Sequence, residues 1–243
     1  MRWRLSKLNW SYGLGELIIV IAGVLTALSV DQWNSDRLDR LEEGRIVERL
    51  TFDLNTDLEA VAIMLRSLDN KEASLLRVNA VLAAADAPPQ DPAEFLRDIV
   101  VGANYGWNQY EVRQTTISEI IGSGKLTLIR DAQLRVKIAD YYNSARANHQ
   151  RIDERETAYP QISYQLVRRA NEGSLKGDSD VVELDHDDLE IEQIFAEVIN
   201  SPLNAHVNAE LNLARFIRAT EIRLQIKCRD LIAELDAYRE TIR

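Results

Sequence analysis

Hydrophobic and polar positions divide the chain into two regimes. From Tyr12 to Val30 it is apolar on every side, with one charge, Glu16, in nineteen residues. Wound as an α-helix at about 1.5 Å per residue, Tyr12 to Trp33 covers roughly 30 Å, the thickness of a bilayer's hydrocarbon core. From Val47 the pattern is one-sided instead. Leu50, Leu54, Leu58, Val61, Leu65, Leu68 and Leu75 follow at steps of three, four or seven, the spacing of one packed face on a helix. No strong breaker separates the regimes. They predict one helix running to about Ala84, with Gly44 its weak point and "DAPPQDP" its end.

Asp91, Pro92 and Glu94 stand in the order of an N-cap, a first-turn proline and an acid at the third helical position, which predicts a second helix. "GANYGWNQY" interrupts it. Thr115 or Thr116 starts a short helix that stops at Gly122 to Gly124. Asp131 caps the next, whose stripe is Leu134, Ile138, Tyr141, Ala145, Ile152, Tyr159, Ile162 and Leu166. Pro160 is expected to kink this helix and Gly173 to end it. An acidic loop then runs to about Asp188, and a short helix covers Leu189 to Ile199. Ser201 and Pro202 open the last helix, with a seam at Leu203, Val207, Leu211, Ala214, Ile217, Leu224, Cys228, Leu231, Leu235, Tyr238 and Ile242. Only "KLTLI" alternates as a strand would, and it is short. The expected fold class is all-α, an N-terminal transmembrane helix continuing into a long-helix antiparallel bundle. Its parts are a short basic segment (1–11), the transmembrane helix (12–33) and a helical bundle domain (34–243).

The ends of the span carry aromatic residues, Trp10 and Tyr12 on one side and Trp33 on the other, where amphipathic rings settle at a membrane interface. Glu16, about one turn inside, reads as an interfacial carboxylate in a helix's first turn, or as a polar contact or ion site within the membrane. Gly23 and Ala27 form a small-xxx-small pair that permits close helix approach. A cleaved signal peptide is the rival reading, with Ala27 and Ser29 as its small residues. Glu16 in the lead and the length of the apolar run favour an uncleaved anchor. Arg2, Arg4 and Lys7 precede the span without an acid among them, and Arg37, Arg40, Arg45 and Arg49 follow it, so the flanks nearly tie by basic count; the undiluted leading cluster favours the N-terminus inside and the body on the periplasmic or extracellular side of the cytoplasmic (inner) membrane.

Gly15-Glu16-Leu17, Gly23, Ala27-Leu28, Trp33-Asn34 and Arg37 together resemble the opening of a family of bacterial single-span membrane proteins catalogued as a domain of unknown function. "SEIIGSGKLTLIRDAQLRVKIADYYN", Ser118 to Asn143, is similar to that family's middle region. Ser29 to Gln32 departs from the amide-rich approach to the tryptophan expected there. The resemblance implies a bacterial protein with a single span and a helical body, and no activity.

Composition narrows the function classes. The net charge is −10, yet residues 1–30 hold three basic residues against Glu16, so the remainder carries −12. A body that acidic repels phosphate backbones, and no basic stripe interleaves with aromatics, which argues against nucleic acid as a partner. A hydrophobic content of 46% with 28% charged residues excludes both a disordered chain and a polytopic one. The single cysteine, Cys228, rules out an internal disulfide or a cysteine zinc cluster, and its place on the last seam reads as core.

His149, His186 and His206 sit on three segments without metal-ligand spacing, and "ELDHDD" around His186 lacks the glycine-centred loop that holds calcium. "GSGKLT" lacks phosphate-loop spacing, and no nucleophile motif is present. No catalytic residue, metal or cofactor is assigned. The seams do have polar gaps. The steps Ala145 to Ile152 to Tyr159 pass over His149 and Arg155, and the step Ile217 to Leu224 passes over Glu221. If these levels coincide they form a polar layer, either a ligand site of His149, Arg155 and Glu221 or an ion pair that fixes register; otherwise the seam simply turns to solvent there. The leading expectation is a non-enzymatic, membrane-anchored helical interaction or scaffold protein, with the lipid bilayer and a homo-oligomer or membrane protein as partners. The alternative is a membrane-anchored ligand sensor or an accessory subunit of a membrane complex.

Overall fold

The computed structural model describes residues 10–84, 89–104, 112–167 and 188–242, and all regular structure among them is helical. Seven α-helices follow in order: α1 (Trp10–Ala83), α2 (Pro92–Ala103), α3 (Thr115–Gly122), α4 (Ala132–Asp153), α5 (Tyr159–Leu166), α6 (Asp188–Ile199) and α7 (Leu203–Ile242). The "KLTLI" stretch is a 3-10 turn, Lys125–Leu128, rather than a strand. It follows Gly124, whose φ of 71° lies in the left-handed region that glycine tolerates.

α1 joins the two regimes in 74 unbroken residues, a rod of about 110 Å at 1.5 Å per residue. Gly44 does not weaken it visibly. Glu43, Ile46 and Val47 are buried on either side, and this packing outweighs the cost of about 1 kcal/mol that glycine carries in a helix interior. Every side chain from Glu16 to Leu41 is exposed. This part of α1 is long and apolar enough to cross a membrane, and none of its apolar window is buried. From Glu43 onward one face turns inward, carrying Val47, Leu50, Leu54, Val61, Leu68 and Leu75.

α7 covers that inward face. The Tyr238 hydroxyl donates to Glu43, Cys228 Sγ donates to the Leu54 carbonyl at 3.4 Å, Arg218 donates to Asp69 at 2.5 Å and Arg215 to Glu72 at 2.7 Å. Positions fall along α7 as they rise along α1, so the two helices run in opposite directions. Three apolar clusters lie along the pair. Leu50, Leu54, Ile120, Ile138 and Leu231 build the one nearest the exposed apolar part of α1. Met64, Leu68, Ile152 and Ile217 build the middle, and Leu75, Phe95, Ile99, Tyr159 and Val207 the far end.

The caps follow the sequence. Asp91 accepts from the Glu94 N–H at 2.9 Å, Asp131 from Gln133 at 2.7 Å, and Ser201 Oγ from Leu203 at 3.2 Å. One expected helix is in fact two. α4 ends at Asp153, and Pro160 stands in the first turn of α5 rather than at a kink, because a first-turn proline lacks only an N–H that would have no helical partner. Gly102 lets α2 approach closely, since a Cβ there would lie 2.8 Å from Leu75 Cδ2 and 3.0 Å from Tyr159 Oη. Residues 1–9, most of "GANYGWNQY", Gly173, the acidic loop and His186 lie outside the described residues.

Candidate functional site

The gaps in the two seams meet. On α7 the inward face runs Ile217, Glu221, Leu224 at helical steps, so a carboxylate takes a position that apolar neighbours hold above and below. On α4, His149 lies between Ala145 and Ile152 at steps of four and three. His149 and Glu221 both line a cleft of about 500 Å³. Met64, Ala145, Ile152 and Leu224 form apolar walls, and Arg113, Gln114, Thr115 and Asp153 contribute to its polar lining.

Glu221 is 4% exposed, and its Oε2 is buried without a hydrogen-bond partner. Burial pushes its carboxyl up to about 7 from 4.5. His149 Nε2 faces Asp153 Oδ2 at 3.2 Å, one turn on, in a half-exposed pair. Arg155 is not part of the cleft lining. It follows the end of α4, donates its N–H to the Ile152 carbonyl, and holds its guanidinium 4.1 Å from the Phe216 ring centre. The helix that would have aimed it inward stops two residues earlier.

Three further polar centres lie in the core. Toward the far end Lys71 and Glu210 form a buried ion pair at 2.5 Å, 3% and 0% exposed. Lys71 also donates to the Asn104 carbonyl at 3.1 Å, and Thr157 donates its hydroxyl to Glu210. Burial lowers the Lys71 ammonium from its ordinary value against the opposing pull of Glu210. The step from Leu68 to Leu75 passes over Lys71, so the signal was the same seven-residue gap that marked His149 and Glu221. Next to the cleft, the buried Asp57 accepts the Arg113 backbone N–H at 3.1 Å, and burial raises its carboxyl to about 6. Nearer the exposed apolar part of α1, Glu43 accepts the Arg130 N–H at 2.9 Å and the Tyr238 hydroxyl, tying the 3-10 region to both long helices. Among the described residues no group of three or more His, Cys, Asp and Glu side chains is placed to hold a metal ion.

A different surface runs along the outside of α1. Glu16, Gly23 and Ala27 are exposed, and a Cβ on Gly23 would meet nothing within 4 Å. Trp33 is exposed; Trp10 lies in α1, and of the side chains of Trp10 and Tyr12 nothing is described. Continuing from Ala27 by steps of seven, four, three and finally eleven reaches Asn34, Leu38, Leu41, Arg45, Phe52 and Ile63, all exposed. Leu38, Leu41, Phe52 and Ile63 are each more than half exposed, on the side of α1 away from α7. The Val47 seam draws attention to the inward face, so this outer stripe shows only once the inner one is covered. No family model, curated protein or solved structure matches the chain.

Proposed function

We propose that the protein is a non-enzymatic, single-span membrane protein whose antiparallel helical bundle serves as an assembly module, and that two or more copies associate along the outer face of α1. The observation that carries this reading is the stripe Leu38, Leu41, Phe52 and Ile63, which leaves large apolar side chains exposed in register with Gly23 and Ala27. Apolar surface standing in water is costly at roughly 25 cal/mol per Å², and a rigid helix presenting it in one line favours a helical partner. A second copy fits because anchored copies insert with one orientation. Their α1 helices are then parallel, and equal positions stand at equal heights, as an isologous two-fold contact requires. Arg45 falls within the stripe and brings its own counter-ion, Glu42, at 3.5 Å.

The reading places residues 12–33 in the bilayer and the body on the periplasmic or extracellular side, and it keeps the family resemblance of the opening motif as its expectation. The test is the mass of the full chain in detergent by light scattering, beside Leu41→Glu/Phe52→Glu. The wild type is expected as a dimer or higher oligomer and the variant as a monomer with unchanged helicity. A monomeric wild type sinks the reading.

A further inference from the structure

The cleft at Glu221 is built from the inward face of α1, from the residues 112–115 that lead into α3, and from α4 and α7, away from the outer stripe, so what it does is independent of self-association. Its parts specify a ligand by charge and by shape. Glu221 brings to it a buried carboxylate, a group that only accepts hydrogen bonds when ionised. Its Oε2 has no partner, and among the described residues no cation pairs with it. His149 is engaged with Asp153, and the Arg113 side chain is exposed. Burying such a group alone costs several kcal/mol, which a ligand cation relieves. An anion reaching the buried part of the cleft would meet the Glu221 carboxylate, since the Arg113 guanidinium that also lines the cleft is exposed. A bare metal ion would find too few oxygen donors. The walls of Met64, Ala145, Ile152 and Leu224 suit an apolar body, and about 500 Å³ lies within the usual range for small-molecule sites.

We propose that this cleft binds a small organic cation, an ammonium carried on a compact apolar body, with the ammonium on the Glu221 carboxylate and the body against Met64, Ile152 and Leu224. Glu221 is the anchoring residue, and Gln114 stands at the rim. Gln114 is exposed and makes no side-chain capping bond to α3, so a larger residue there obstructs the cleft without disturbing the core.

The probe is 2-phenylethylamine, titrated calorimetrically at pH 8 into the full chain in non-ionic micelles, with 3-phenylpropionate as an anion of similar size. The amine is expected to bind with a Kd of about a millimolar or below, and the anion not to bind. Glu221→Gln keeps the shape and removes the charge. It is expected to weaken the amine by about tenfold or more, as loss of a charged hydrogen bond does, while ellipticity and Tm show a folded body. Gln114→Trp is expected to reduce amine binding with Glu221 still in place. Equal binding of amine and anion overturns the proposal. So does unchanged amine affinity in Glu221→Gln, or no amine binding by a folded wild type at millimolar concentration. If Glu221→Gln does not fold, Gln114→Trp decides: unaltered amine binding there also overturns it.

Discussion

Replacing Glu221 by Gln should change how stability depends on pH, by an amount that the structure fixes. The Glu221 carboxyl is held near 7 in the folded chain against 4.5 when exposed. The folded state therefore keeps a proton that the unfolded chain has lost. Below about 4.5 both states are protonated and the stabilisation from this raised pKa is fully present. It is lost as pH rises from 4.5 through 7, and above 7 both states are ionised. A shift of that size is worth about 3 kcal/mol in all, at 1.36 kcal/mol per pKa unit, and most of it falls between pH 5 and pH 8. Asp57 is raised from 3.8 to about 6 and adds roughly 1 kcal/mol with the same sign over the same window. Urea unfolding of the full chain in non-ionic micelles, followed by ellipticity at pH 5 and pH 8, reads the sum. The wild type is expected to lose about 4 kcal/mol between the two, and Glu221→Gln only about 1 kcal/mol. Asn at position 57 can still accept the Arg113 N–H through its carbonyl, so Asp57→Asn/Glu221→Gln should flatten the profile with the fold intact. Glu42 and Glu119, lowered by exposed partners, lose their contributions as pH falls below the range used and are common to every variant. A Glu221→Gln profile as steep as the wild type's would refute the reasoning.

Lys71→Met leaves Glu210 buried without its cation and should cost about 3–5 kcal/mol, whereas Lys71→Met/Glu210→Leu should recover most of it; thermal unfolding of the three chains checks this. Gly102→Ala pushes a methyl into Leu75 and Tyr159 and should cost about 1–3 kcal/mol, seen as a lowered Tm, while the same change at Gly44, where nothing lies within 4 Å, should be neutral or stabilising. Cys228 is buried and donates to Leu54, and burial raises its thiol to about 11, so an aromatic disulfide reagent at pH 8 should label it only as urea unfolds the body; rapid labelling of the folded chain would contradict the packing described.

The long elements were legible because their signals are local and repeated. The apolar run and the Val47 seam share one helical phase without a proline, and that is why α1 could be read as one rod. The α7 seam was readable for the same reason, down to Cys228 in the core. Capping residues announced α2, α4 and α7, since a side chain reaching two or three residues ahead leaves its trace in sequence order. What depends on a neighbour in space was harder to read. The stripe Ile152, Tyr159, Ile162 is apolar on one side whether the chain continues as a helix or stops at Asp153 and restarts, so periodicity ran through a real break and carried Arg155 onto the wrong surface. "KLTLI" alternates yet lies as a 3-10 turn whose Lys125 pairs with Glu42 on α1, which no five-residue window can show. His149 and Glu221 lie in different helices, and only packing brings their gaps into one cleft. Lys71 was hidden in the same kind of gap, and its pairing with Glu210 spans 139 positions.

Self-association along the outer face of α1 is tested most directly by cysteine cross-linking in membranes. Cys228 is buried in the body and does not compete with an introduced thiol. Phe52→Cys places a thiol on the outer stripe, and Ile226→Cys places one on the exposed surface of α7. With an added oxidant, Phe52→Cys is predicted to form a disulfide-linked pair at twice the 27.7 kDa chain mass, while Ile226→Cys stays single. Failure of Phe52→Cys to link, or equal linking at both positions, would contradict the account.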